Sequence, residues 1–138
     1  MNRRKSILIW LLRGLAALIM LQTLYFKFSA APESVYIFSQ LGIEPWGRLA
    51  TGAMELIASV LILIPFTTVL GAFLAVGIMV GAIFSHLFVL GISVMDDHGQ
   101  LFIYANIVLL CSVILIWIKR NELTRFLPGV FHRFIPKA

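Results

Sequence analysis

Residues 56–92 of this 138-residue chain include no Asp, Glu, Lys or Arg. About 18 apolar residues suffice to cross a hydrocarbon core of about 30 Å, so this run is too long for one crossing. Pro65 divides it, because proline breaks the helical hydrogen-bond ladder, and Thr67 is placed to cap the helix that follows. The stretch therefore predicts two antiparallel membrane spans joined by a tight hairpin. Two further apolar runs complete a set of four spans, at residues 6–28, 46–64, 67–92 and 100–118.

Composition agrees with that reading. The chain is 61% hydrophobic and 12% charged, against about 25% charged residues in a soluble domain. The predicted fold is all-α, a transmembrane four-helix bundle over residues 1–120, followed by a basic amphipathic tail at 121–138. The first span follows a basic start, but its apolar run is longer than a signal segment and it contains Arg13, so it reads as a retained helix.

The net charge of +5 sits at the two ends of the chain. Arg3, Arg4 and Lys5 precede the first span, and Lys119, Arg120, Arg125, Arg133 and Lys137 follow the last. By the positive-inside rule both termini are cytoplasmic, and this distribution gives no reason to expect nucleic acid. Between spans one and two, Pro32 opens a segment with Val35, Phe38 and Leu41 at helical spacing, closed by Gly42. It predicts a short amphipathic helix in the outer loop. In the tail, Leu123, Phe126, Leu127, Val130, Phe131, Phe134 and Ile135 alternate with basic residues, the pattern of a helix lying in the membrane surface, with Pro128 and Gly129 dividing it. In the third span Gly77 and Gly81 mark either a packing face within the bundle or a homo-oligomer face. The lone Cys111 reads as a small buried hydrophobe, and a single cysteine excludes an intramolecular disulfide or a CxxC redox pair.

The polar residues inside the spans carry the functional argument. At about 1.5 Å of rise per residue, Gln22 and His86 lie roughly 9 Å below the outer boundary, Asn106 at a similar depth and Glu55 roughly 13 Å down. All four helices thus contribute to one polar layer, with Lys27 and Arg48 above it. Thr51, Glu55 and Ser59 share one face of the second span, and Gln22, Tyr25 or Phe26, and Ser29 one side of the first. A buried carboxylate must be protonated or find a cation, and His86 and Lys27 are the candidates. Two readings follow: a small polar pocket in the outer half, in which Glu55 and His86 bind or exchange a proton with a ligand, or an interhelical ion pair that fixes packing. Arg13 is expected to snorkel to the cytoplasmic surface. Asp96, Asp97 and His98 read as a solvated loop rather than metal ligands.

The first helix ending in LYFKF with Lys27, the second carrying Glu55 in ATGAMELIASVLILI, and the third with His86 in VGIMVGAIFSHLFVLG together resemble the DoxX-like family of small four-helix membrane proteins. The resemblance covers nearly the whole chain. It implies a multi-pass protein of the bacterial inner membrane and links to membrane oxidoreductases that pass electrons to quinone and to tolerance of quinones and oxidative stress. It also implies Lys27, Glu55 and His86 as the polar site. The chain has no redox centre of its own, so the expectation is a quinone-handling or accessory subunit of a membrane or peripheral oxidoreductase, with Gln22 and Asn106 as further ligand contacts. The alternative is a non-catalytic assembly or scaffold subunit of a larger membrane complex. A proton-coupled transporter is disfavoured, since four unbroken spans without a repeated half offer little machinery for alternating access.

Overall fold

The computed structural model describes residues 2–126. Helix α1 spans Arg3–Phe28, α2 Pro32–Gln40, α3 Trp46–Leu63, α4 Thr68–Ser85 and α5 Gln100–Ile118. A π-helical turn, His86–Leu90, continues α4, and a 3₁₀ turn at Arg120–Glu122 leads into the short α6, Leu123–Phe126. Among the described residues four helices are long and apolar enough to cross a membrane: α1, α3, α4 with its π turn, and α5. Their ends fall within a few residues of the expected spans. The short α2 lies where an outer-loop helix is expected, with Gly42 beyond its end at φ +73°.

The four long helices form a ring in which α1 packs on α3, α3 on α4, α4 on α5, and α5 closes back onto α1. Small side chains set the spacing, with Ala16, Ala58, Ala72 and Ala75 wholly buried beside Met20, Ile62, Val108 and Leu115. Large apolar side chains such as Leu11, Leu18, Leu110 and Trp117 point outward, the arrangement expected where the surroundings are as apolar as the core. Helices α3 and α4 approach closely at Gly71, where an added Cβ would lie 2.6 Å from the Ile62 nitrogen and 2.8 Å from the Ala58 oxygen. Gly77 and Gly81 differ: a Cβ at either meets nothing within 4 Å, so neither is a packing contact inside the bundle.

The hairpin at Pro65 is closed by polar side chains. The last carbonyls of a helix lack intrahelical partners and attract cations. Arg13 answers this: its Nε donates to the Ile62 carbonyl at 2.7 Å, its Nη2 to the Leu63 carbonyl, and its guanidinium lies 3.8 Å from the Trp10 ring centre. At 2% exposure Arg13 is buried and does not snorkel to the surface, because the end of α3 supplies its partners. Thr68 Oγ1 lies 3.0 Å from both the Ile62 and the Ile64 carbonyl oxygens and shares its one proton between them, and Lys119 donates to the Pro65 carbonyl at 3.0 Å. Thr67 stands at the N-cap but makes no side-chain cap. Its hydroxyl donates to the Leu61 carbonyl at 2.8 Å.

Of the expected tail, Arg125 lies over the Phe66 ring at 4.7 Å. Leu127, Pro128, Gly129, Val130, Phe131, Phe134, Ile135 and the rest of the tail fall outside the described residues.

Candidate ligand-binding cavity

At the end of the bundle that carries α2, the four long helices spread around a cavity of about 770 Å³. Ligand pockets commonly enclose about 300–1,000 Å³. Its space comes from α4, whose Gly77, Gly81 and Ser85 follow at four-residue intervals along the wall. The two glycines that pack against nothing therefore leave room instead. Phe38 of α2 closes over the cavity, and Met20, Met54 and Leu90 contribute apolar wall.

One side is polar. Thr23 and Lys27 lie four residues apart on α1 and meet Glu55 of α3. The Lys27 ammonium is 3.0 Å from Glu55 Oε2 and 3.2 Å from Oε1. Thr23 Oγ1 lies 3.2 Å from the same Oε2 and 2.8 Å from the Met20 carbonyl, so its single proton is shared between them. Glu55 is 4% exposed, and burial of a carboxylate is tolerated when a cation and hydrogen bonds accompany it. Lys27 is held from behind as well: Arg48 donates through Nη1 to the Lys27 carbonyl while its Nε engages both oxygens of Glu44 at 2.8 and 3.1 Å. Arg48 is itself buried. An ammonium has three N–H donors and Glu55 uses at most two, which leaves one for a ligand.

His86 stands on another wall, where α4 becomes π-helical. It makes no hydrogen bond to Glu55. Its Nδ1 lies 2.9 Å from the Gly91 carbonyl, and its ring meets Phe102 edge-on at 5.7 Å. The loop beneath is organised by Asp97. Its Oδ1 accepts from the Val94 and Gly99 N–H groups at 2.9 and 2.8 Å, and its Oδ2 from Leu101 at 3.2 Å, which fixes the start of α5. Burial by itself pushes the Asp97 carboxyl up. The N–H groups of Val94, Leu101 and Gly99 outweigh burial and hold it below the ordinary carboxylate value. Asp97 is thus a structural anchor and a cavity wall rather than a fully solvated loop residue, while Asp96 is exposed.

Four of the five residues singled out from the sequence line this cavity: Lys27, Glu55, His86 and Gln22. Gln22 does so as an exposed residue whose side chain makes no hydrogen bond to the described residues. Asn106 does not line the cavity, since its amide nitrogen donates to the Phe102 carbonyl at 2.7 Å on its own helix. Tyr25 and Ser29 are exposed and absent from the wall, so the polar stripe of α1 runs through Thr23 and Lys27. Thr23 was the overlooked member, and its four-residue spacing from Lys27 was the available signal. Among the described residues no group of three or more His, Cys, Asp or Glu side chains is placed to hold a metal ion.

Four apolar helices in a ring, opened at one end around an intramembrane Lys–Glu pair, define a small multi-pass integral membrane protein. The profile of the DoxX-like family matches residues 11–116, most of the chain, and the protein belongs to that family. No curated protein matches it, and no solved structure does.

Proposed function

We propose that this protein binds a small lipophile with a polar head, of the quinone class, in the cavity between its helices, and serves as the quinone-handling or accessory subunit of a membrane oxidoreductase system. The observation that carries the reading is the cavity itself, about 770 Å³ with mostly apolar walls and the Lys27–Glu55 pair inside. Such a space suits a ring and tail, while the spare Lys27 N–H suits a ring oxygen. Glu55 orients the Lys27 ammonium, and Thr23 steadies Glu55. On this reading the α2 end faces outward from the bacterial inner membrane, with both termini in the cytoplasm, because the basic residues gather at the hairpin end.

The test is mass spectrometry of lipids that co-purify in mild detergent. Wild-type protein is expected to retain a quinone and Glu55→Gln to lose it. Equal retention in the variant refutes the reading. A stoichiometric protein partner that is lost on cutting the chain after Arg120, with no bound small molecule, favours the scaffold subunit instead.

A further inference from the structure

The hydrogen bond made by His86 sets a requirement on whatever the cavity holds. A carbonyl oxygen only accepts, so the ring nitrogen 2.9 Å from the Gly91 oxygen, Nδ1, must carry a proton. In the neutral ring the other nitrogen, Nε2, then presents a lone pair. Nε2 has no protein partner among the described residues, and it is not one of the fully enclosed unpartnered atoms, so it reaches open space. His86 is only 4% exposed and lines the cavity. Among the described residues no charged side chain hydrogen-bonds to the ring. Asp97 has both carboxylate oxygens engaged by backbone N–H groups and makes no hydrogen bond to the ring. Glu55 and Lys27, on the α3 and α1 walls, are paired with each other.

We infer that the cavity selects lipophiles whose head group carries a hydroxyl, a phenol or a quinol, over those offering only carbonyl or ether oxygens, and that the His86 Nε2 lone pair makes the selection. A carbonyl at this position would set lone pair against lone pair and leave both without a partner, whereas an O–H donates. A site built to receive a hydroxyl discriminates strongly against an analogue lacking it, because its own buried polar atom is then left unmatched. The Lys27 end is less demanding, since its donor is met by a carbonyl or by a hydroxyl oxygen. Of a quinone and its quinol, the cavity therefore prefers the reduced form. This inference rests on the cavity being a lipophile site, as proposed above.

The matched probes are 4-nonylphenol and its methyl ether, measured by equilibrium binding to protein in lipid nanodiscs with empty nanodiscs as the blank. The phenol is expected to bind wild type about tenfold tighter than the ether, and His86→Phe, which keeps a ring against Phe102, to bring the two within about twofold. Equal binding of both probes to wild type overturns the inference while leaving the cavity reading intact. An undiminished preference in His86→Phe overturns the role of His86. Binding of neither probe above the blank overturns both the inference and the reading beneath it. A second measurement needs no variant: in protein labelled with ¹⁵N-histidine, the Nε2 resonance of His86 is expected to move on adding the phenol and to hold on adding the ether. The same movement with both probes counts against the proposal.

Discussion

Breaking the Lys27–Glu55 pair from one side and then from both gives the sharpest test of the energetics. In Lys27→Met, Glu55 is left with a side chain 6% exposed and Thr23 at 3.2 Å as its remaining hydrogen-bond donor. Removing one partner of a buried ion pair costs about 3–5 kcal/mol, because the other charge stays desolvated. Glu55→Leu is expected to cost less, since the Lys27 side chain is 13% exposed and its flexible stem can carry the ammonium toward water. In the double variant Lys27→Met/Glu55→Leu no charge is stranded, and replacing a buried pair by apolar side chains of similar size is often neutral or stabilising. The double variant should therefore be more stable than Lys27→Met alone, with a coupling energy of about 2–3 kcal/mol. Thermal or denaturant unfolding of the four proteins in one detergent measures it. Additive single costs, with a coupling below about 0.5 kcal/mol, refute the claim that the two side chains share one buried interaction.

The glycines of α4 should divide by position: Gly71→Ala is expected to lower stability by about 1–3 kcal/mol through overpacking against the α3 backbone. Gly81→Leu, which meets open space, should leave unfolding unchanged or raise it slightly while abolishing retention of a co-purifying lipophile. Asp97→Ala should be less stable than wild type at neutral pH. A carboxyl held below its ordinary value contributes stability above about pH 3.9 and loses it as pH falls through the folded value. The gap between Asp97→Ala and wild type should therefore close as unfolding is measured from pH 7 down through the acid range.

The spans were legible because hydropathy and length are one-dimensional properties, and a proline or a charged end marks each boundary. Position along each helix was legible for the same reason, as rise per residue converts residue number directly into distance along the axis. Rotation about the helix axis was not. Asn106 carries the expected amide, yet that amide turns back to Phe102 of its own helix. Gln22 is the residue the sequence points to, whereas the adjacent Thr23 carries the side chain that meets Glu55. His86 sits at a π-helical turn, where the ordinary spacing rule for faces no longer holds. Arg13 and Arg48 were only partly legible, for a different reason. Their partners are backbone carbonyls of other helices, at Ile62, Leu63 and Lys27, and a carbonyl leaves no mark in a sequence.

Those two arginines also fix something that neither does alone. Arg13, on α1, grips the last carbonyls of α3, and Arg48, on α3, grips a carbonyl at the last turn of α1. The contacts lie at opposite ends of the same antiparallel pair and reach in opposite directions. A slip of α1 along α3 by one residue, about 1.5 Å, strains both at once, whichever way it goes. The pair behaves as a ruler clamped at each end, and the mark at which Lys27 meets Glu55 is set before any ligand arrives. Adjustment of the cavity to an occupant then falls to α2, α4 and α5, which carry no such double clamp among the described residues.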